Sequence, residues 1–294
     1  MKLGIAGIGP DPNPEIPRLL PPWQLFDEQA AERILQHGFS GTALYVGEPL
    51  AVDWDAIERV GGICRQAGLD IAQANGRYND LVTPDDAARA QGVSAFRALL
   101  RIGRAWDVQS VYVRPGGLNP RGSWWPHPRN RAPETFDRLV DSLRQVCETA
   151  EAEGVTIGIE GHVLSVLYSA QRVRDVLDAV GSPALKFNLD PVNFMGSVED
   201  VYDTRRVIDE LFALLGDDVV ALHAKDCALQ DALVLHIDEV IPGQGTMDYE
   251  LLLTRFEESC PNGYVLIEHL NQDQTPAAQS AILAAAQRAG LKFD

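Results

Sequence analysis

The chain has 294 residues, 46% of them hydrophobic, which is enough to form one sizeable core. Its formal net charge of −17, from 42 acidic and 25 basic side chains, excludes sequence-independent attraction to nucleic acid or to anionic membranes. No apolar run reaches about 18 residues, proline soon interrupts the amino-terminal apolar segment, and the four cysteines are scattered, so we expect a cytoplasmic protein without membrane span, signal peptide or disulfide framework.

Eight short runs rich in aliphatic and β-branched residues alternate with amphipathic helical stretches. The predicted strands are Leu3–Ile8, Thr42–Val46, Leu69–Ala74, Ser110–Arg114, Val155–Glu160, Leu185–Asp190, Val219–His223 and Tyr264–Glu268. Apolar residues recur at helical spacing in Thr135–Glu153, and Gly38, Gly68 and Gly154 precede three of the runs, where a helix end favours glycine. Eight strand–helix repeats predict a parallel sheet closed into a single-domain (β/α)₈ TIM barrel of residues 1–294. A doubly wound open sheet is the alternative, but residues 4–9 lack the dinucleotide-binding glycine pattern.

The later strands end on residues that can bind a metal. The fifth to eighth runs close on Glu160, Asp190, His223 and Glu268. Because the carboxyl ends of barrel strands meet on one face, three carboxylates and an imidazole are expected to surround one point. Each residue alone could instead be a helix cap or a surface charge, but converging carboxylates repel one another and lose hydration. A divalent cation removes this conflict, and the donor set suits Mn²⁺ or Mg²⁺, with Co²⁺ and Zn²⁺ also compatible.

Five segments of the second half form an ordered set: IGIEGH at 157–162, FNLDPVN at 187–193, LHAKD at 222–226, IPGQGTMDY at 241–249 and VLIEH at 265–269. In this order and spacing they resemble the xylose-isomerase-like TIM-barrel superfamily of sugar isomerases, epimerases and dehydratases. The resemblance spans essentially the whole chain and indicates the superfamily rather than a substrate. It implies that Glu160, Asp190, His223 and Glu268 bind one divalent metal, Mn²⁺ above all, and that Glu160 and Glu268 are catalytic acid/base residues.

The chemistry of such a site supports this implication. Removal of a proton next to a carbonyl creates an enediolate, whose negative oxygens need a Lewis acid. A carboxylate on either face of the sugar can remove the proton and return one. Return to the opposite face epimerises the sugar, whereas return to the neighbouring carbon isomerises it. The sequence therefore predicts a keto-sugar isomerase or epimerase that acts on a small-molecule sugar.

Three positions depart from the ketose 3-epimerase pattern. Asn193 stands where many members carry histidine, Leu229 where arginine is usual and Val166 where glutamate is usual. These departures keep open a dehydratase or lyase that acts on a keto-sugar, an inosose or an oxidised glycoside through the same proton abstraction. A DNA-repair endonuclease of the related barrel type is set aside, since it needs a basic groove and more than the six histidines present. A non-catalytic sugar-binding barrel would have little reason to keep two glutamates at one metal.

Further side chains near the strand ends are candidates for contact with a sugar. They are His162, Asn193, Lys225, Arg114, Trp124 and Trp125. Arg114 has inward parity, with a salt bridge to a strand-end carboxylate as the alternative, and Lys225 could instead pair with Asp226. The two tryptophans suit stacking on a sugar face, or packing of their own loop.

Two other segments carry expectations about the catalytic face. The proline-rich stretch Pro10–Trp23 follows the first strand and is expected to form a stiff lid or a long connection. By strand alternation, His269 is expected to face away from Glu268. Dimers or tetramers are common among such barrels, so the resemblance is compatible with a homo-oligomer.

Overall fold

A computed structural model describes residues 1–294, and eight of its strands close into a parallel barrel in the order β1-β10-β7-β6-β5-β4-β3-β2. The strands are β1 Lys2–Ala6, β2 Gly41–Val46, β3 Asp70–Gly76, β4 Ser110–Val113, β5 Ile157–Ile159, β6 Leu185–Leu189, β7 Val219–Ala224, β8 Asp226–Leu229, β9 Ile237–Val240 and β10 Tyr264–Glu268. The predicted TIM barrel is confirmed, and all eight predicted strands form, with ends that shift by a residue or two.

Nine α-helices connect the strands and cover the barrel. They are α1 Glu28–Gln36, α2 Trp54–Ala67, α3 Asp86–Trp106, α4 Pro133–Glu153, α5 Ala170–Val180, α6 Val198–Tyr202, α7 Thr204–Leu215, α8 Tyr249–Ser259 and α9 Thr275–Arg288. Aspartate or serine side chains cap the amino ends of most of them, as Asp85 does by accepting a hydrogen bond from the Ala88 amide. Gly38, Gly68 and Gly154 have positive φ, as their positions predict. None of the helices has the length and apolar character needed to cross a membrane.

Apolar side chains fill the layer between strands and helices. Phe26, Phe39, Phe96, Phe187 and Phe256 are fully buried there. The interior of the barrel is different, because its upper part, towards the carboxyl ends of the strands, is filled by polar side chains. This layer forms the floor of the site described below.

The β8–β9 hairpin is an addition that the sequence pattern did not predict. It follows β7 after Lys225 and pairs antiparallel from Asp226↔Val240 to Leu229↔Ile237, in a stretch where no strand was predicted. Its second strand, with the sequence IDEV, is short and half acidic. It therefore lacks the alternation of apolar and polar residues that would predict a strand. The hairpin stands on the catalytic face and brings Glu239 to the active-site cavity.

The segment Pro10–Trp23 is an ordered connection along the same face. Gly9 bridges to Asn271, and the amide of Leu19 donates to Oε1 of Gln272 at 2.6 Å. Leu19 is 1% exposed, so the segment is anchored in the core at its middle. These contacts tie it to the loop that follows β10.

Candidate metal centre and active-site cavity

Glu160, Asp190, His223 and Glu268 lie together at the carboxyl ends of four strands that neighbour one another in the barrel, β5, β6, β7 and β10. One potential ligand atom from each residue lies within 4.8 Å of the other three. All four side chains are buried, with exposed fractions between 0% and 7%. Because of the strand order, Glu160 and Glu268 stand at the two ends of this arc. We call these four residues the carboxylate–histidine cage.

Positive groups lie inside the cage. Nδ1 of His223 is 3.1 Å from Oε1 of Glu160 and 3.0 Å from Oε1 of Glu268, and burial opposes its charged form. The two carboxylates outweigh burial and raise the pKa of His223 to about 10. Nζ of Lys225 lies 2.7 Å from Oδ2 of Asp190 and 2.8 Å from Oε1 of Glu268. The carboxylates of the cage thus concentrate negative charge and have both a basic imidazole and an ammonium group against them.

The pKa values of the carboxyl groups shift in different directions, because burial and the attraction of nearby positive charges act against each other. Burial raises the pKa of Asp190 to about 7, although the Lys225 ammonium acts against it. Burial also opposes ionisation of Glu268, but His223 and Lys225 hold its pKa well below the usual range. The pKa of Glu160 is lowered by His223 in the same way. Glu160 and Glu268 are thus held in the ionised form.

Several polar atoms of the cage have no hydrogen-bond partner, as is expected of a site that binds a metal ion. Nδ1 of His223 has no aligned hydrogen-bond partner, and neither has Oδ1 or Oδ2 of Asp190, although Lys225 approaches Oδ2. Leaving a buried polar group unsatisfied costs about 1–3 kcal/mol, and more when it is charged. A divalent cation takes electron pairs from just such oxygen and imidazole donors. The four residues therefore fit a divalent metal site.

Aromatic side chains hold one wall of the cage. The Tyr112 hydroxyl donates to Oε2 of Glu160 at 2.6 Å, and Nε1 of Trp124 donates to the same oxygen at 3.4 Å. The Tyr112 ring also stacks on the imidazole of His223, with centroids 5.5 Å apart. The phenol donor stabilises the ionised form of Glu160 and fixes its direction.

A cavity of 290 Å³ opens above the cage. Its lining residues are Asn75, Tyr112, Trp124, Glu160, His162, Asn193, His223, Lys225, Glu239, Glu268 and His269. Ligand pockets for drug-sized molecules start at about 300 Å³, so this volume suits one small molecule. Four of the six predicted substrate contacts, His162, Asn193, Lys225 and Trp124, line the cavity.

His162 and Asn193 present hydrogen-bond donors there. Nδ1 of His162 accepts from the amide of Leu164 at 3.1 Å, which leaves the proton on Nε2. Burial lowers the pKa of His162 to about 4, so the ring is neutral at physiological pH. Asn193 is 7% exposed, and its Nδ2 is buried without a partner. Both groups are therefore available to donate to the oxygen of a ligand.

Arg114 and Trp125 lie outside the lining of this cavity. β4 ends at Val113, so strand parity no longer directs Arg114 inward, and its guanidinium stacks on the Tyr78 ring at 3.9 Å. Trp125 is 41% exposed and packs under the guanidinium of Arg121. The structure thus brings neither side chain to the cage.

For two neighbouring residues the structure differs from an alternative left open, at Lys225, and from an expectation, at His269. Lys225 pairs with Asp190 and Glu268 rather than with Asp226, whose carboxylate instead accepts from backbone amides, including those of Gly243 and Gly245. The loop between β9 and α8 supplies these donors, and strand parity does not predict that it lies beside Asp226. His269 lines the cavity instead of facing away, because its φ of 60° breaks the strand alternation.

Several cavity residues were not predicted as site residues. Glu239 comes from the unpredicted hairpin and accepts from Nδ1 of His269 at 3.2 Å. Asn75 is the last residue but one of β3, where an asparagine is also typical of an approaching turn. Tyr112 stands on β4 with inward parity, and this parity was the one available signal.

Comparison with known proteins assigns the chain to a family. A family described as "Xylose isomerase-like TIM barrel" matches residues 31–289. The chain belongs to this family. A crystal structure of a D-tagatose 3-epimerase-like protein superposes with a TM-score of 0.73 at 14% identity, covering 99% of this chain and 98% of the other, and supports the shared fold.

Two curated proteins are more similar to this chain in sequence. The 3-oxo-isoapionate decarboxylase of Pectobacterium atrosepticum is 30% identical over 155 residues, which is 51% of this chain and 52% of that protein. An L-ribulose-5-phosphate 3-epimerase of Shigella flexneri is 25% identical over 236 residues, 78% of this chain and 75% of its relative. The first match thus spans about half of that relative's length.

Proposed function

We propose that this protein is a divalent-metal-dependent isomerase or epimerase of a keto-sugar, with Mn²⁺ as its metal. The observation that carries the proposal is the placement of Glu160 and Glu268 at opposite ends of the cage, both buried and both held ionised. Epimerisation requires a group that removes a proton on one side of the bound molecule and a group that delivers one on the other, and two carboxyl groups can exchange these two roles. Similarity to an L-ribulose-5-phosphate 3-epimerase supports the same reaction type.

The cage residues have separate tasks in this proposal. Glu160, Asp190, His223 and Glu268 would hold the metal, which supplies Lewis-acid charge beside the carbonyl of the sugar. Glu160 or Glu268 removes the proton from the carbon next to that carbonyl. The other carboxylate takes up a proton from water and gives it to the opposite face of that carbon, so the stereocentre inverts, and the first glutamate then releases its proton to water. The Tyr112 hydroxyl keeps Glu160 pointed at the substrate.

The other side chains that line the cavity orient the substrate. His162 and Asn193 donate hydrogen bonds to sugar oxygens, because Nδ2 of the buried Asn193 has no partner and Nε2 of the half-buried His162 carries the proton of its ring. Lys225 adds positive charge next to the developing negative oxygens of the enediolate. The Trp124 ring covers one side of the cavity, where it can stack on a sugar face and exclude water. Arg114 and Trp125 have no part in this proposal, since neither lines the cavity.

A lyase or dehydratase is the second candidate. One observation favours it, the 30% identity over 155 residues to a 3-oxo-isoapionate decarboxylase. Loss of carbon dioxide next to a keto group also produces an enediolate, so the same cage could serve it.

Solvent exchange distinguishes the candidates. Mn²⁺-loaded protein would be incubated in heavy water with free ketoses, ketose phosphates, 3-keto-glycosides and a 3-oxo-sugar acid, and followed by NMR. The proposal predicts deuterium next to the carbonyl of at least one ketose or keto-glycoside, together with an epimer or isomer. A product with fewer carbons or a lost hydroxyl would support the second candidate, and exchange in none of the four classes would contradict both.

Variants connect the exchange to the cage. Glu160→Gln and Glu268→Gln should each abolish exchange, because glutamine cannot accept the proton. Glu134→Gln, which alters an exposed residue at the start of α4, should exchange like wild type. Equal exchange in all three variants would show that the reaction does not use the cage.

A further inference from the structure

A chain of buried side chains runs beneath the cage, across the barrel interior. Oε1 of Gln73, on β3, lies 2.9 Å from Nε2 of His223. Nε2 of Gln73 donates to Oδ1 of Asn188 at 2.7 Å and to Oγ of Ser110 at 3.2 Å. Nδ2 of Asn188 donates to Oε1 of Glu160 at 3.3 Å. Gln73 therefore connects two cage residues from below, and its side chain is 2% exposed.

The ionised carboxylate of Glu160, at one end of this series of hydrogen bonds, fixes which group donates in each of them. An ionised carboxylate can only accept, so Asn188 must offer its amide nitrogen to Glu160 and its oxygen to Gln73. Gln73 must then offer its own amide nitrogen to Asn188, which leaves its oxygen facing His223. An amide oxygen can only accept, so Nε2 of His223 must carry a proton. The remaining nitrogen, Nδ1, is the one among the carboxylates.

We propose that Gln73 is a positioning residue that selects Nδ1 of His223 as the metal-binding atom and thereby sets the metal affinity of the cage. The proposal rests on the proposed metal-dependent function. Gln73 does not touch the metal ligand atoms of the cage, and it acts through His223 and Asn188. Partners that hold a ligating histidine from behind in this way typically account for about a 10- to 100-fold change in metal affinity.

Metal affinity tests the proposal without any substrate. Gln73→Met keeps the size of the side chain but removes its three hydrogen bonds, to His223, Asn188 and Ser110. Mn²⁺ and Zn²⁺ affinities would be measured by competition with a chromophoric chelator. We expect binding to weaken about 10- to 100-fold. Thr42→Val is the matched control, because Thr42 is also fully buried in the barrel, on the adjacent strand β2, and its hydroxyl has no partner. Gln73→Met that binds as tightly as Thr42→Val would overturn the proposal.

A double variant tests whether the chain acts as a unit. Asn188→Leu should weaken metal binding as well. The double variant Gln73→Met/Asn188→Leu should bind metal only slightly more weakly than whichever single variant binds it less tightly, because either change interrupts the same series of hydrogen bonds. Purely structural damage at two sites would instead multiply the two losses. Multiplying losses would overturn the proposed directional chain.

A measurement on the wild type covers the case in which these variants do not fold. Protein labelled with ¹⁵N-histidine and loaded with Zn²⁺ would be analysed by NMR for the protonated nitrogen of His223. The proposal predicts the proton on Nε2 and the metal on Nδ1, and the reverse arrangement would overturn it. Wild type that binds no metal would contradict the proposed function itself, so the two failures are distinguishable.

Discussion

The hydroxyl of Tyr112 lies 2.6 Å from Oε2 of Glu160, and both side chains are buried. A phenol that donates to a carboxylate stabilises its ionised form and restricts its rotation. Because Glu160 combines proton transfer with metal binding in the proposed function, this contact should affect turnover more than it affects the fold.

Tyr112→Phe removes that donor while the ring keeps its place. A hydrogen bond to a charged group is worth about 1.5–3 kcal/mol, so kcat/KM for deuterium exchange should fall about 10- to 100-fold. Tyr264→Phe, which loses its hydroxyl contact to Asp70 at the opposite end of the barrel, is the control and should react like wild type. Unchanged exchange in Tyr112→Phe would separate Tyr112 from the chemistry.

Gly161 separates Glu160 from His162 in a crowded part of the site. A Cβ atom there would lie 2.4 Å from the Phe194 ring and 2.9 Å from the carbonyl oxygen of Leu167. Gly161→Ala should therefore displace both neighbours, lower stability by about 1–3 kcal/mol and impair metal binding. Chemical denaturation and chelator competition would measure the two effects.

Gly62→Ala is the matched control for that change. A Cβ atom at Gly62, inside α2, meets nothing within 4 Å, so alanine should stabilise the helix by up to about 1 kcal/mol. Gly161→Ala with wild-type stability and metal affinity would contradict the crowding described for this loop.

Lys225→Met removes the ammonium that lies between Asp190 and Glu268. Loss of one partner from a buried ion pair typically costs about 3–5 kcal/mol, and a bound divalent cation should restore much of it. The rise in Tm on addition of Mn²⁺ should then be larger in the variant than in wild type. Lys186→Met, which loses a pair with Asp218 far from the cage, should show the wild-type rise. An equal rise in both variants would contradict the counter-ion role of Lys225.

Asp218 gives a pH-dependent stability at the amino-terminal end of the barrel. Burial opposes its ionisation, but hydrogen bonds from Lys186 and Arg174 outweigh burial and lower its pKa. Its stabilising effect is therefore complete above the unfolded value of about 3.9 and is lost as the pH falls through the lower folded pKa. Asp218→Asn should be less stable than wild type at pH 7, and this difference should shrink towards pH 3. Urea denaturation at a series of pH values measures it, and a difference that grows on acidification would contradict the sign.

The barrel and the cage could be predicted because both depend on local pattern. Each strand is a short apolar run, and the ligands stand at the ends of four such runs, so counting runs places Glu160, Asp190, His223 and Glu268 on one face. The predicted bounds shift by a residue or two because strand ends depend on pairing with the neighbouring strand rather than on composition.

Other site residues depend on irregularities that composition does not show. The pairing of β2 with β3 skips Ala72, since Thr42 pairs with Ile71 and Ala43 with Gln73. Alternation counted from the start of β3 is therefore broken just before Gln73, and its place beneath the cage was not predictable. Two other cavity residues were not predictable for the same reason. His269 has a positive φ, and Glu239 lies on a short acidic hairpin strand, so neither follows regular alternation.

Metal content tests the central claim most directly. Elemental analysis would be made on wild type, on Glu160→Gln/Glu268→Gln and on the control Glu134→Gln, each after reconstitution with Mn²⁺ and removal of free metal. The cage predicts about one divalent ion per chain in wild type and in the control, and far less in the double variant. Wild type that retains no divalent metal, or a double variant that retains as much as wild type, would contradict the metal centre and the proton transfer assigned to its two glutamates.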